Sequence, residues 1–440
     1  MKLKYFGTDG IRGTVGQEPM TEGFVRRTGH ALAAFLRKHN PTKPVTVVIG
    51  RDTRASGVDL QGVLVEGFCE VGQHVVYLGV IPTPGIALSV RQLHADLGIA
   101  LTASHNPAGD NGIKLFDNRG HKYAVETEAE IEALIDASAA DKPAASTCGY
   151  DYDGRDHYIN FLQSQLHQDS LKGWTIALDC ANGATGLVAP DIFERFGADL
   201  HLTGTDSGKG TINNGVGSEF PENLAATVKA GGATAGFAFD GDGDRVIACD
   251  ETGTILDGDE LLGLLALQRL RLGALHKNTL VTTVLSNLGL DLTLEQAGGR
   301  VERVGVGDRN VLHRVLSGGY SLGGEPSGHI ILPHSLEAGD GILAAIKVLE
   351  AMLATGKRLS ELRAEVQLFR QVKANLRVAE KRPLGECASL KAEAQAIEAE
   401  MGGRGRLLIR YSGTEPKIRL LIEGEDPGPL KGYMERIRAA

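Results

Sequence analysis

No two cysteines of this 440-residue chain stand at C-x-x-C spacing: Cys69, Cys148, Cys180, Cys249 and Cys387 are scattered. Neither a zinc site nor a disulfide framework is expected from them, and a reduced, cytoplasmic setting fits that usage. Basic residues are in deficit. The 46 Lys and Arg are outnumbered by 55 Asp and Glu, for a formal net charge of −9. That argues against nucleic acid as a partner, because a phosphate backbone requires a basic surface. A local cluster of arginines can still oppose the global sign, so a small anionic ligand remains compatible. No apolar signal region opens the sequence, and no stretch is apolar for long enough to span a bilayer, so no membrane role is expected.

Glycine is abundant, at 58 residues. Such a supply suits many tight strand-to-helix turns and backbone-lined sites. The length corresponds to about three domains on a soft prior of about 150 residues each. Hydrophobic periodicity alternates from the start. Phe24 to Leu36, Val58 to Val71 and Ile86 to Leu93 read as helices, and Val45 to Ile49, Val75 to Leu78 and Leu97 to Thr102 as strands. Ala139 to Gly149 has linker composition. A second unit follows, with helices at Tyr158 to Leu166 and Leu187 to Phe196 and strands at Thr175 to Asp179 and Gly236 to Asp240. A third begins near Thr252, with helices at Leu261 to Leu272 and Ile342 to Leu353 and strands at Leu280 to Leu285 and Val301 to Val304. From Phe369 the pattern changes to strands Val372 to Val378, Arg406 to Ser412 and Ile418 to Glu423, with helices at Leu390 to Met401 and near the end. The fold expected is three successive α/β domains with mixed, mostly parallel sheets, then a C-terminal α+β domain. The divisions fall at 1–150, 151–251, 252–367 and 368–440. Similar unit sizes suggest structural repetition without a visible sequence repeat.

Six segments carry candidate chemistry. Thr102-Ala103-Ser104-His105-Asn106-Pro107 leaves the carboxyl end of a strand, where α/β sheets collect ligands. Ser104 is a candidate nucleophile, with His105 or Lys114 able to manage a proton. Asp240-Gly241-Asp242-Gly243-Asp244-Arg245 is the strongest signal. Alternate positions on extended backbone aim the three carboxylates one way, the glycines let the loop curl, and the crowded charge requires a hard cation. An EF-hand is rejected, because its sixth position must be Gly and here is Arg245. Mg²⁺ prefers a few carboxylates plus phosphate oxygens, which Arg245 could pair. Arg410-Tyr411-Ser412-Gly413-Thr414-Glu415-Pro416, followed by Arg419, has the makings of an anion-cradling loop. In Gly323 to His329, Glu325 and Ser327 would share a face of extended backbone and suit sugar hydroxyls or an amine. Arg12, between glycines, and Gly305-Val306-Gly307-Asp308-Arg309 are weaker signals of the same kind.

Together these segments resemble the α-D-phosphohexomutase superfamily over essentially the whole chain. The resemblance implies four domains around a central cleft and a phosphoserine at Ser104. It implies one Mg²⁺ held by Asp240, Asp242, Asp244 and the Ser104 phosphate. Glu325, Ser327 and His329 would recognise the sugar, with Asp308 and Arg309 nearby. Arg410, Ser412, Gly413, Thr414 and Arg419 would hold the distal phosphate. Arg12, His105, Lys114 and Arg245 fall where the superfamily has catalytic residues. Ser286 to Leu290, Val306 to Arg309, Leu256 to Glu260 and Asp179 to Ala184 resemble its glucosamine branch. Pro326 departs from the Gln expected there, and the last helix is short.

The activity so implied is an isomerase that moves phosphate between O6 and O1 of glucosamine. The route runs through a bisphosphorylated sugar, with a sugar bisphosphate as activator. The partner would be a hexosamine phosphate, and a homodimer is compatible. Alternatives are the same chemistry on mannose or glucose phosphates, a metal-dependent phosphatase, and a non-catalytic sensor.

Overall fold

A computed structural model describes residues 3–138, 148–206, 210–378, 380–411 and 417–440. Four sheets follow one another along the chain. The first has seven strands. Strands Thr46–Arg51, His74–Val80, Leu97–Leu101 and Tyr150–Asp151 form its parallel part, and Phe6–Gly7, Gly10–Thr14 and Asp110–Phe116 add antiparallel pairs at one side. The second and third sheets repeat that plan at five strands each. Thr175–Asp179, Asp199–Thr203 and Ala235–Phe239 are parallel, followed by antiparallel Val246–Asp250 and Ile255–Leu256. In the third, Thr279–Thr283, Arg300–Val304 and Gly323–Gly324 are parallel, followed by antiparallel Ile330–Leu332 and Leu336–Gly339. The repetition suggested by unit size is therefore one of topology. The last sheet is wholly antiparallel, Arg370–Arg377, Lys417–Gly424 and Gly405–Tyr411.

Local chemistry explains the element limits. Helix Glu22–His39 starts at Thr21, whose side chain accepts from the Phe24 N–H, and ends on basic Arg37, Lys38 and His39, which complement the helix dipole. Helix Gly258–Arg271 opens with a capping box between Asp257 and Glu260. The third helix of the first unit begins at Thr83 rather than Ile86, because Pro84 suits a first turn. Strand Asp110–Phe116 escapes the sequence reading: Asp110, Asn111 and Gly112 mimic a turn, while burial from Asn111 onward overrides propensity. Most of the expected linker lies outside the described residues.

One expectation is corrected. Cys69 and Cys148 are joined by a disulfide, leaving Cys180, Cys249 and Cys387 free. Their separation of 79 residues hid the pairing. Tyr150–Asp151 pairs beside His74–Val80, which follows helix Gly57–Glu70, and so brings the two together. The absence of a bridge, one ground for a reduced setting, does not hold for that pair. Among the described residues, no helix is long and apolar enough to cross a membrane.

A single hydrophobic cluster runs through all three α/β units, from Val48 and Tyr158 through Phe193 and Phe237 to Leu280, Ile346 and Val366. The last sheet has its own cluster, including Ile397, Leu420, Ile422 and Ile437. The last sheet meets the third unit at one end. Glu423, fully buried, accepts from the Leu288 N–H at 3.0 Å, Arg406 Nε at 2.6 Å and Gln371 Nε2 at 2.6 Å. Arg406 also donates to the Ser286 carbonyl. Asn287 pairs with both the N–H and the C=O of Phe369, each at 2.9 Å.

Candidate active site

Strand Leu97–Leu101 is buried throughout and delivers Thr102 to Pro107 at its carboxyl end. Ser104 is fully buried with φ 53°, a left-handed conformation that costs a residue with a side chain about 1–3 kcal/mol. Surrounding hydrogen bonds enforce it. Its N–H donates to Thr102 Oγ1 at 2.9 Å, and that hydroxyl donates to Asp52 Oδ2 at 2.7 Å. Its carbonyl accepts from Arg54 Nη2 at 3.0 Å and Asn213 Nδ2 at 2.8 Å. Arg54, paired with Asp52 at 2.9 Å, donates also to the carbonyls of Asn106 and Asp110. The Ser104 hydroxyl donates to Asp240 Oδ2 at 2.5 Å and lies 3.3 Å from His105 Nδ1.

Asp240, Asp242 and Asp244 sit in the turn joining antiparallel strands Ala235–Phe239 and Val246–Asp250. Ligand oxygens of the three lie within 4.8 Å of one another, and all three residues are buried. Convergence comes from this turn, with Gly243 at φ 74°, rather than from alternation along extended backbone. Burial, then the charges of Asp244 and Asp242, push the Asp240 carboxyl well above its usual range. Among the described residues, Asp242 Oδ1 and Asp244 Oδ1 are buried without a hydrogen-bond partner. Carboxylate oxygens so placed fit a hard divalent cation.

Charges of alternating sign line the cleft beside them. Lys114, buried, reaches Asp242 at 2.7 Å, Asp9 at 3.0 Å and Asp244 at 3.1 Å. Burial alone would lower its pKa, but these carboxylates prevail and hold it well above the usual value. Lys122 bridges Asp9 and Asp308, and Arg12 pairs with Asp9. His329 lies 3.8 Å from Asp244 and 3.6 Å from Asp308. Burial pulls it down, yet the bond and charge of Asp244 and the charge of Asp308 raise its pKa overall. His105 goes the other way, lowered to about 4 by burial and by Arg245 and Arg12. Arg245 stands 3.8 Å from Asp244, and its N–H donates to Asp240 Oδ1 at 3.2 Å. Arg309 is engaged by Glu128 of the first unit. A pocket opens here, lined by Lys122, Asp244, Asp308, Arg309 and His329 with an apolar wall of Phe116, Leu312 and Ile331.

The Glu325–Gly328 segment is a turn rather than extended chain. The Gly328 N–H donates to the Glu325 carbonyl at 3.1 Å. Pro326 then occupies the second turn position, where its fixed φ is favourable, which gives this departure a physical reason. Glu325 Oε1 accepts from the Gly307 N–H at 3.0 Å, and Ser327 Oγ is buried without a hydrogen-bond partner among the described residues. Arg410 and Arg419 are direct cross-strand neighbours in the last sheet. Like charges in that position repel unless an anion lies between them. Burial and then the charge of Arg419 lower the pKa of Arg410. Ser412, Gly413 and Thr414 lie outside the described residues.

The sequence reading missed Asp9, Asp52, Arg54, Lys122 and Asn213. Arg51-Asp52-Thr53-Arg54 follows a strand just as Thr102 does, so the strand-end rule would have found two of them.

Comparison with known proteins agrees with this geometry. Residues 3–142, 156–253 and 257–369 match the alpha/beta/alpha domains I, II and III of phosphoglucomutase/phosphomannomutase, and 374–440 match its C-terminal domain. The phosphoglucosamine mutase of Syntrophotalea carbinolica is 43% identical over 443 residues, covering 99% of this chain and 97% of the relative. That of Bacillus cereus is 44% identical over 439 residues, with 99% and 97% covered. The crystal structure of a phosphoglucomutase/phosphomannomutase family protein from Burkholderia thailandensis shares the fold. It superposes with TM-score 0.81 at 24% identity, covering 100% of this chain and 97% of that one.

Proposed function

The chain belongs to the phosphoglucomutase/phosphomannomutase family, and from that premise we propose that it interconverts glucosamine 6-phosphate and glucosamine 1-phosphate. The product would lie on the route to UDP-N-acetylglucosamine. The curated relatives named phosphoglucosamine mutase support the substrate. The single observation that carries the chemistry is Ser104 Oγ at 2.5 Å from Asp240, within a buried aspartate trio.

In the working enzyme Ser104 carries the phosphoryl group. Asp240, Asp242, Asp244 and that phosphate would hold Mg²⁺. When bound, the ion neutralises charge on the transferring phosphoryl group. Arg410 and Arg419, with Ser412, Gly413 and Thr414, hold the substrate's 6-phosphate. Glu325, Ser327 and His329 orient the sugar, and Asp308, tied to Lys122, and Arg309, tied to Glu128, shape the wall beside it. The sugar O1 attacks phosphorus, the bond from phosphorus to Ser104 Oγ breaks, the O1 proton goes to a base, and Ser104 Oγ takes up a proton in its place. His105, 3.3 Å from Ser104 Oγ, is placed to pass that proton. Lys114 stays an ammonium among its carboxylates and, with Arg12 and Arg245, offsets phosphate charge. The bisphosphorylated sugar turns over, and its 6-phosphate returns to Ser104. A sugar bisphosphate would accordingly serve as activator.

The divisions at 150, 251 and 367 would make four domains around this cleft. A homodimer would carry two such clefts. A cytoplasmic location goes with charged substrates that do not cross a bilayer unaided.

Turnover of glucosamine 6-phosphate and mannose 1-phosphate, each with its matching bisphosphate, tests the reading. A higher kcat/KM for glucosamine phosphate is expected. A preference for mannose would overturn the substrate, and free phosphate released in step with substrate loss would overturn the mutase.

A further inference from the structure

The first three units share a core, yet the reaction needs one particular contact between them. A residue of the first unit, Ser104, must stay within reach of carboxylates from the second. Two stretches not used by the mechanism, Asp179 to Ala184 and Thr211 to Ser218, meet at that contact. Asp179 Oδ1 accepts from the Ala181 N–H at 3.0 Å, closing a turn in which Ala181 and Asn182 have φ 56° and 52°. The Ala181 carbonyl accepts from the Asn213 N–H at 2.8 Å, and Asn213 is itself left-handed at φ 59°. The buried Asn213 amide then crosses to the first unit. Its Nδ2 donates to the carbonyls of Ser104 at 2.8 Å and Asn106 at 3.0 Å. The metal-side turn closes on the same point. A Cβ on Gly241 would stand 2.7 Å from the Ser104 carbonyl and 2.9 Å from Asn213 Nδ2. The Gly241 carbonyl also accepts from the Ala184 N–H at 3.0 Å.

We propose that Asn213 is a positioning residue of the phosphoryl-transfer step: its amide fixes the backbone of the Ser104 loop against the Asp240–Asp244 turn. It touches neither substrate nor reacting atoms. The inference rests on the mutase reading. Phosphoryl transfer depends on alignment more than on covalent help from the protein, and a shift of about 1 Å can cost about 100-fold in rate. Losing the amide should therefore slow chemistry and leave substrate binding alone.

Two substitutions isolate the amide. Asn213→Asp keeps shape and tolerates the left-handed conformation, but turns a carboxylate toward two carbonyl oxygens. Asn213→Gly keeps the backbone conformation and removes the amide altogether. Both should lower kcat by about 10- to 100-fold with KM within about twofold of the parent. A readout separate from turnover is the rate at which a sugar bisphosphate phosphorylates Ser104, followed by intact-protein mass. It should fall in parallel with kcat. Parental kcat and phosphorylation rate in either folded variant, or a loss confined to KM, would overturn the proposal. The unsubstituted protein is assayed first: its failure to isomerise sugar phosphates would sink the mutase reading instead.

Discussion

Ser104 is gripped by side chains from two units that share a continuous core, whereas Arg410 and Arg419 stand on a sheet with a separate core. Ser104 has partners on both sides: Arg54 and Asn213 donate to its carbonyl, Thr102 accepts from its N–H, and Asp240 accepts from its hydroxyl. The two arginines lie toward the end of their sheet remote from Glu423, the point where it meets the third unit. The difference matches what the proposed reaction would require. One end would keep a nucleophile in register with carboxylates, and the other would take either of two phosphates on a sugar that changes orientation.

The comparison breaks most severely at the nucleophile. Ser104→Ala should reduce turnover by more than about 1000-fold with the fold intact, and intact-protein mass should show no covalent phosphate. Asp242→Asn should lose a similar amount and also lose divalent-ion binding, read by titration calorimetry. At the other end, Arg410→Ala or Arg419→Ala should raise KM by about 10- to 100-fold with a smaller change in kcat, because a distal phosphate is bound in ground and transition states alike. Glu423→Gln keeps the side-chain shape but removes the charge facing Arg406. About 1–3 kcal/mol should be lost. Amide exchange should rise in Gly405–Tyr411 and Lys417–Gly424 while strands of the first three sheets keep their protection.

The smallest effect expected is one of pH. Asp259 accepts from the Asn287 N–H beside that junction, and its pKa is raised to about 7 by burial and the nearby Asp257 charge. An acid whose folded pKa lies above its unfolded value holds its proton longer when folded. Its contribution is therefore present in acid and is lost as pH rises toward 7. Denaturation of Asp259→Asn at pH 5 and pH 8 should show a smaller fall in stability than the parent shows.

Much of this is legible in the sequence. The Asp240, Asp242 and Asp244 trio and Ser104 announce themselves because crowded carboxylates and strand-end loops have few structural uses. Arg54 and Asn213 do not, since a buried guanidinium or amide reads in sequence as an ordinary surface residue. Burial is set by which strands become neighbours, and no local pattern reports it. The same reason hid the Cys69–Cys148 bridge and strand Asp110–Phe116. Glu325 and Ser327 read as sharing one face of extended backbone, whereas the chain turns there, because Pro326 and Gly328 favour a turn over an extended run.

Glu423 sits near one end of a strand whose other end, Lys417, lies close to Arg419 and its cross-strand neighbour Arg410, the proposed distal phosphate site. Six residues of strand make an arm of about 20 Å. A tilt of about 10° at that fulcrum would carry the far tip through about 3.5 Å, comparable with a bond-making distance, while the contacts at the base scarcely shift. A small adjustment at a buried carboxylate is thereby geared up into a displacement large enough to loosen or tighten the grip on a phosphate.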